Sequence, residues 1–271
     1  MTDLKSKSVL VTGGAHGIGR KLVDALAAEG AHVIVTDINT DNLKATEEAL
    51  RSAGRSVSAY VLDVTKPNDI LSVRDRIHGE VGRIDILVNN AGIVFGGPFL
   101  EVPLEKHDLT YNVNVNGLVA MTHAFLPDLI ACPSGHLVNI ASASGLIGLP
   151  YGTTYASSKW AVIGFSESIR LELQDMNLPN VQVTTVCPSY IATGMFKGAK
   201  APLLTSMLDP DKLVEKIVDA IKTNKPFLLE PALVKIVPVL KSLLPQGIFD
   251  TLAETLGVTS SMRQWKGHNI P

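Results

Sequence analysis

The sequence predicts an α/β protein: a doubly wound parallel sheet with helices on both faces. Three observations predict it. Short apolar, often β-branched runs alternate with longer stretches of helical spacing, and strands apolar along their whole length suit a sheet covered on both sides. The first run opens directly into Thr12-Gly13-Gly14-Ala15-His16-Gly17-Ile18-Gly19. Polar or glycine-rich motifs then close several of the later runs, at the strand ends where open parallel sheets bind ligands.

Taken in order, Val9 to Thr12 reads as a buried strand, and Ile18, Leu22, Ala25 and Leu26 share one face of the helix that follows. Gly30 stops that helix at the position glycine favours. Ala31 to Thr36 is the second strand. Leu43, Leu50 and the alanines between them mark the second helix, and Val57 to Leu62 the third strand. Pro67 suits a helix start, and its helix runs towards Val81. Ile84 to Asn89 is the fourth strand. A long helix covers roughly Glu105 to Ile130, and Leu137 to Ile140 is the fifth strand. A second long helix carries Tyr155, Lys159, Ile163 and Ile169. Val181 to Cys187 is the sixth strand, Leu213 to Ile221 a helix, and Phe227 to Leu229 a last short strand. Right-handed crossovers wind such units to both faces. No linker or repeat divides the chain. Residues 1–230 are expected as one dinucleotide-binding and catalytic domain, and 231–271 as a helical appendage packed on it or on a partner subunit.

Composition narrows the function. With 271 residues and 46% hydrophobic content the chain can bury a large core, and its net charge of -2 comes without a basic stripe. No nucleic-acid partner is expected. Cys132 and Cys187 stand far apart, the seven histidines are scattered, and no metal site is expected. The apolar stretch near the N-terminus is too short for a signal-peptide core, and no charge-free run is long enough to span a bilayer. The expected location is cytoplasmic.

A strand, a glycine-rich turn and a helix together make a phosphate site. The glycines let the backbone approach a pyrophosphate, and the helix N-terminus offers free N–H groups. Thr12, Gly13, His16, Gly17, Ile18 and Gly19 lie in this turn. Asp37 follows the second strand, where an acidic residue binds the adenosine ribose hydroxyls and repels a 2′-phosphate. That favours NAD over NADP. Asp63-Val64 follows the third strand, and Asn89-Asn90-Ala91-Gly92 the fourth.

Among the five tyrosines, Tyr155 is the one with a lysine, Lys159, four residues on. Residues four apart share a helix face. A nearby ammonium favours the phenolate and is expected to lower the phenol's pKa from about 10. Such a tyrosine takes a proton from an alcohol or gives one to a ketone. Ser142 is placed to hydrogen-bond the reacting oxygen. Asn114 is placed to anchor a water that connects Lys159 to solvent.

In this ordered set the chain resembles the classical short-chain dehydrogenase/reductase family over roughly Lys5 to Glu230. The family glycine motif falls on Thr12, Gly13, Gly17 and Gly19, and its asparagine-asparagine-alanine-glycine motif on Asn89 to Gly92. Its helix asparagine, serine, tyrosine and lysine fall on Asn114, Ser142, Tyr155 and Lys159. The resemblance implies a Rossmann-type sheet of seven strands. It makes Tyr155 the general acid/base, Lys159 also a ribose ligand, Ser142 the holder of the substrate oxygen and Asn114 part of a proton relay. By the same resemblance Asp63 and Val64 contact adenine, Asn90 the nearby ribose, and Ile191 and Thr193 the nicotinamide carboxamide. It also implies homo-tetramers or homo-dimers packed through the two long helices. One position departs from the family: Pro188-Ser189 stands where proline-glycine is usual, and a serine fits only if the backbone there keeps a negative φ.

The segments expected around the substrate are apolar: Ile93, Val94 and Phe95; Leu146, Ile147 and Leu149; Met195 and Phe196. The long loop from Ser189 to Pro210, with Leu203, Leu204 and Met207, has the character of a lid. An apolar secondary alcohol or ketone is expected, steroid-like, retinoid-like or long-chain. Beyond Glu230, three prolines break an apolar stretch into short helical pieces. This stretch covers the substrate site, packs on a partner subunit, or touches a membrane surface, with protein packing favoured. Two other readings keep the same residues: a catalytically silent NAD-binding scaffold or sensor, and an enzyme of the same fold performing epimerisation or dehydration.

Overall fold

The structure is a computed structural model that describes residues 2–203 and 205–267; Leu204 lies outside the described residues. Seven strands form one parallel sheet in the order β3-β2-β1-β4-β5-β6-β7. They are β1 (Ser8–Thr12), β2 (His32–Asp37), β3 (Val57–Val61), β4 (Ile86–Asn89), β5 (Gly135–Ile140), β6 (Val181–Pro188) and β7 (Phe227–Glu230). The helices are α1 (Gly17–Ala28), α2 (Thr40–Ser52), α3 (Pro67–Glu80), α4 (Leu104–Tyr111), α5 (Leu118–Ala131), α6 (Thr153–Asp175), α7 (Pro210–Lys222), α8 (Val237–Leu243) and α9 (Gln246–Thr255).

Alternation along each strand divides the core between two faces. Val9, Val11, Val33, Val35, Ile86 and Val88 pack with Leu22 and Leu26 of α1, Leu43 and Leu50 of α2, and Leu213 and Ile217 of α7. Leu10, Ile34 and Leu87 point the other way, onto Ile70 and Ile77 of α3 and Met121, Phe125 and Leu129 of α5. Helix α7 shows the physical cause most simply. Asp209 caps it by accepting from the amides of Asp211 and Lys212, and Leu213, Val214, Ile217, Val218 and Ile221 bury one stripe. Each such side chain contributes about 1.5–3 kcal/mol on leaving water.

Strand order reverses between β1 and β4, so the crevice at their carboxyl ends is the topological switch point. The motifs of β1 to β6 all open towards that edge.

Two differences from the sequence expectation bear on the site's surroundings, while the tail forms the short helical pieces expected of it. The fourth strand starts at Ile86 rather than Ile84, because the Asp85 carboxylate turns to accept from Ser8 N and Lys7 Nζ, both at 2.8 Å. The first long helix is not uniform: Asn112–Gly117 forms a π-helical segment between α4 and α5. The tail folds into a 3-10 turn (Ala232–Ile236), α8 and α9, and then returns across the sheet's carboxyl edge with Met262 buried. No helix among the described residues is long and apolar enough to cross a membrane.

Candidate active site

The glycine turn is built by close backbone approach. Gly13 and Gly17 hold φ values of +60° and +58°, the left-handed region that glycine enters without strain. A Cβ on Gly19 would stand 2.2 Å from Gly13 O and 2.4 Å from Asn90 Nδ2, so nothing larger fits. Thr12 Oγ1 accepts from the amides of Asn90 and Ala91, each at 3.0 Å. The Asn90 side-chain amide returns to Thr12 O at 2.9 Å and Gly13 O at 3.0 Å. In this conformation Asn90 therefore latches the β4 end to the glycine turn. His16 is exposed at the start of α1, and Ile18 packs against the core.

Asp37 is buried at the end of β2. Its carboxylate accepts from Ala15 N and Asn39 N, both at 3.0 Å, which ties it to the same turn. Asp63 accepts from Thr65 N and Thr65 Oγ1 and pairs with Lys66 at 3.5 Å. Burial alone would raise its pKa, but these partners outweigh it and hold the carboxyl below its usual range. Val64 packs onto the π-helical segment, where a Cβ on Gly117 would meet Val64 Cγ2 at 2.9 Å.

Helix α6 carries Tyr155 and Lys159, 5% and 4% exposed. Lys159 Nζ donates to Ile140 O at 2.8 Å and lies 5.8 Å from the centre of the Tyr155 ring. The expected acidification of the phenol is not what this arrangement produces by itself. Burial pushes Tyr155 up to about 12, with the neighbouring Ser142 hydroxyl a smaller, lowering influence. Burial pushes Lys159 down to about 8. Both shifts follow from removing a charged form from water.

Ser142 follows β5; its hydroxyl accepts from Ser144 N at 3.2 Å and donates to Pro188 O at 3.4 Å. Asn114, 1% exposed in the π-helical segment, accepts from Ile93 N at 2.8 Å and donates to Ile93 O and Ser158 Oγ, both at 3.0 Å. Its polar atoms are thus engaged with protein, and it braces the loop after β4 against α6. A Cβ on Gly92 would fall 3.4 Å from Asn114 Oδ1 and 3.5 Å from Lys159 Nζ, so the end of β4, the π-helical segment and α6 meet there. Ile191 bridges to Leu208, and Thr193 stands over Gly17, 4.0 Å from where its Cβ would lie. Ser189 has no positive φ and donates its amide to Glu230 O at 2.8 Å, which is how serine replaces glycine there.

The residues present fit a nicotinamide dinucleotide. Gly17 faces open space towards Thr193, the N-terminus of α1 points into that space, and the Lys159 ammonium has one protein acceptor for three N–H groups. Beside Tyr155, the residues Val94, Leu149, Tyr190, Phe196 and Met262 pack into a buried apolar cluster. Phe196 stands edge-on to Tyr155 with ring centres 5.9 Å apart. Tyr190 and Met262 are the members of this cluster that the sequence reading did not single out; a residue from the far C-terminus leaves no local signal.

Comparison with known proteins identifies the family and the fold. The family model described as short chain dehydrogenase matches residues 7–203. Epidermal retinol dehydrogenase 2 of Mus musculus is 39% identical over 259 residues, which is 94% of this chain and 84% of that protein. Estradiol 17-beta-dehydrogenase 11 of Homo sapiens is 31% identical over 250 residues, 92% of this chain and 83% of that protein. A crystal structure of a short chain dehydrogenase/reductase from Burkholderia phymatum in complex with NAD superposes with a TM-score of 0.82 at 24% identity, over 89% of this chain and 95% of that one, and supports the fold. The chain belongs to the short-chain dehydrogenase family and is an oxidoreductase that uses a nicotinamide cofactor.

Proposed function

We propose that this enzyme moves a hydride between NAD and an apolar secondary alcohol or its ketone, of retinoid, steroid or long-chain type. The observation that carries the reading is Tyr155: a buried phenol on the helix face of Lys159, whose Nζ lies 5.8 Å from its ring centre, packed among apolar residues. The names of the relatives, a retinol dehydrogenase and an estradiol dehydrogenase, favour the same substrate class. Asp37 favours NAD, since its carboxylate stands where a 2′-phosphate would meet like charge.

When bound, the nicotinamide supplies or accepts the hydride. Thr12, the glycine turn and the N-terminus of α1 hold the pyrophosphate, Asp37 the adenosine ribose, and Asp63 and Val64 flank the adenine. Lys159 offers its two remaining N–H groups to the nicotinamide ribose, and Ile191 and Thr193 lie beside the carboxamide. Ser142 holds the substrate oxygen, and Tyr155 Oη gives it a proton in reduction or takes one in oxidation. Burial opposes the phenolate, so its deprotonation depends on the Lys159 ammonium and on positive charge arriving with the oxidised cofactor. The substrate displaces Phe196 to reach the phenol. The exposed Leu109, Val119, Trp160 and Leu171 on α4 to α6 suit packing between copies of the chain, and two free cysteines suit a reducing, cytoplasmic setting.

The test is oxidation of a graded panel of alcohols with NAD and NADP side by side, with wild type and Tyr155→Phe. The variant is expected to lose roughly 10²–10⁴-fold in kcat while still binding NADH. Equal turnover of small polar polyols, or an active Tyr155→Phe, would overturn the reading.

A further inference from the structure

The last described residues do more than cover the fold. Met262 is buried, and Trp265 packs with it against the apolar group that contains Tyr155, Val94 and Phe196. The segment that carries them is fastened to the loops after three strands. After β6, Lys200 N donates to Ser261 O and Lys266 N to Lys197 O, both at 2.9 Å, and Tyr190 Oη donates to Ser261 Oγ at 2.7 Å. Trp265 Nε1 donates to Met195 O at 3.1 Å, which fixes the plane of the indole. After β5, the Arg263 guanidinium lies 5.7 Å from the Tyr151 ring centre. After β4, the indole packs close to Gly96. A Cβ at that position would stand 2.8 Å from Trp265 Cε3, 2.9 Å from Cδ2 and 3.1 Å from Met262 Cε.

We propose that Trp265 is the size-selecting wall of the substrate pocket, and that glycine at position 96 is what admits it. The inference rests on the hydride-transfer reading above. The indole is large, its one polar atom is engaged by Met195 O, and it is held against the loops after β4 and β6, so it presents a rigid apolar face to a substrate. Nothing in its sequence surroundings, Arg263-Gln264-Trp265-Lys266, marks it as a pocket residue. The pairing with Gly96 does, because any side chain at 96 must move the ring.

The experiment is a double-mutant cycle on kcat/KM over a homologous series of apolar alcohols, with NADH affinity measured in parallel. Trp265→Ala is expected to shift preference towards longer or bulkier alcohols by roughly tenfold, with Kd for NADH unchanged. Gly96→Ala is expected to shift the preference too, since its methyl displaces the indole. The double variant is expected to match Trp265→Ala alone rather than the sum. Trp265→Phe is expected to restore part of the wild-type order. A merely structural residue would lower all alcohols together and leave their order intact. That outcome, or additive effects, overturns the inference. Binding gives an independent arm. In Trp160→Phe the remaining tryptophan is Trp265, and its emission is expected to change on titration with an apolar alcohol. A wild type that turns over no alcohol while this emission still responds would sink the reaction reading and leave the wall standing. An emission blind to every alcohol that is turned over would sink the wall alone. No turnover together with no response would sink both.

Discussion

Lys159 reaches past the ring of Tyr155 and hydrogen-bonds Ile140 O, with its Nζ 5.8 Å from the ring centre. The pair shares a helix face, yet burial acts on both members against their charged forms, taking the phenol to about 12 and the ammonium to about 8. In the free enzyme the resting state at neutral pH is therefore phenol and ammonium. On the proposed function, we expect the base form of Tyr155 only in the complex with oxidised cofactor.

The cofactor-binding consequence follows from the lysine. Its ammonium is present below about 8 and is lost as pH rises through that value. NADH carries no charge on its nicotinamide, so its affinity reports the ribose contact without competing repulsion. We expect Kd for NADH to rise above pH 8, by at most about tenfold per pH unit. Lys159→Met is expected to bind NADH weakly and with no such rise. A wild-type Kd that stays flat from pH 7 to 9.5 would remove Lys159 from the ribose.

We expect Asp37 to bias cofactor choice through charge. Its two oxygens each accept one backbone amide, from Ala15 and Asn39, so the carboxylate is fixed in place rather than swinging in solvent. Asp37→Asn keeps an acceptor and removes the charge. We expect the ratio of kcat/KM for NAD over NADP to fall by roughly tenfold or more, since like charge at contact costs at least a kcal/mol or so. Steady-state assays with both cofactors check it, and an unchanged ratio would assign the preference elsewhere.

Much of this was legible from sequence because its signals are local. Strands buried on both faces are apolar throughout, so Val9 to Thr12 and Val181 to Cys187 could be read without partners. The site motifs lie at strand ends, and the sheet brings those ends together whatever the helices do. What was not legible depends on distance or on environment. A single wide turn in Asn112–Gly117 barely disturbs hydrophobic spacing, so the π-helical segment under Asn114 left no trace. The latch of Asn90 on Gly13 O joins residues 77 apart. The reversal on Tyr155 arose because spacing places the lysine but says nothing about water, and desolvation is the larger effect.

The glycine turn makes a sharp contrast between two neighbours. Gly17→Ala places a side chain in open space at a left-handed φ, a strain of roughly 1–2 kcal/mol. Gly19→Ala drives a methyl to 2.2 Å from Gly13 O and 2.4 Å from the Asn90 latch, so the turn itself must open. We expect Gly19→Ala to abolish NADH binding. Gly17→Ala is expected to fold with a lower Tm and measurable binding. Calorimetric titration of both variants decides it, and equal affinities would refute the close-packed turn.

Away from the glycine turn and Tyr155, His136 is expected to contribute to the loss of stability at acid pH. It is fully buried on β5, where its Nε2 donates to Thr184 Oγ1 at 2.8 Å, because that hydroxyl gives its own proton to Lys225 O. Its Nδ1 has no partner among the described residues, so the ring is neutral, and burial lowers its pKa from 6.5 to about 4. The unfolded chain takes up a proton below about 6.5, whereas the folded chain resists until about 4. Stability is thus full above 6.5 and is lost as pH falls through this window, by about 3 kcal/mol in total. His136→Gln keeps a donor to Thr184 and has nothing to titrate. We expect urea midpoints of wild type to fall between pH 6.5 and 4 more steeply than those of the variant, the two curves differing by that amount. Parallel curves would mean that His136 charges without cost, and that β5 admits water where the structure has none of its surface exposed.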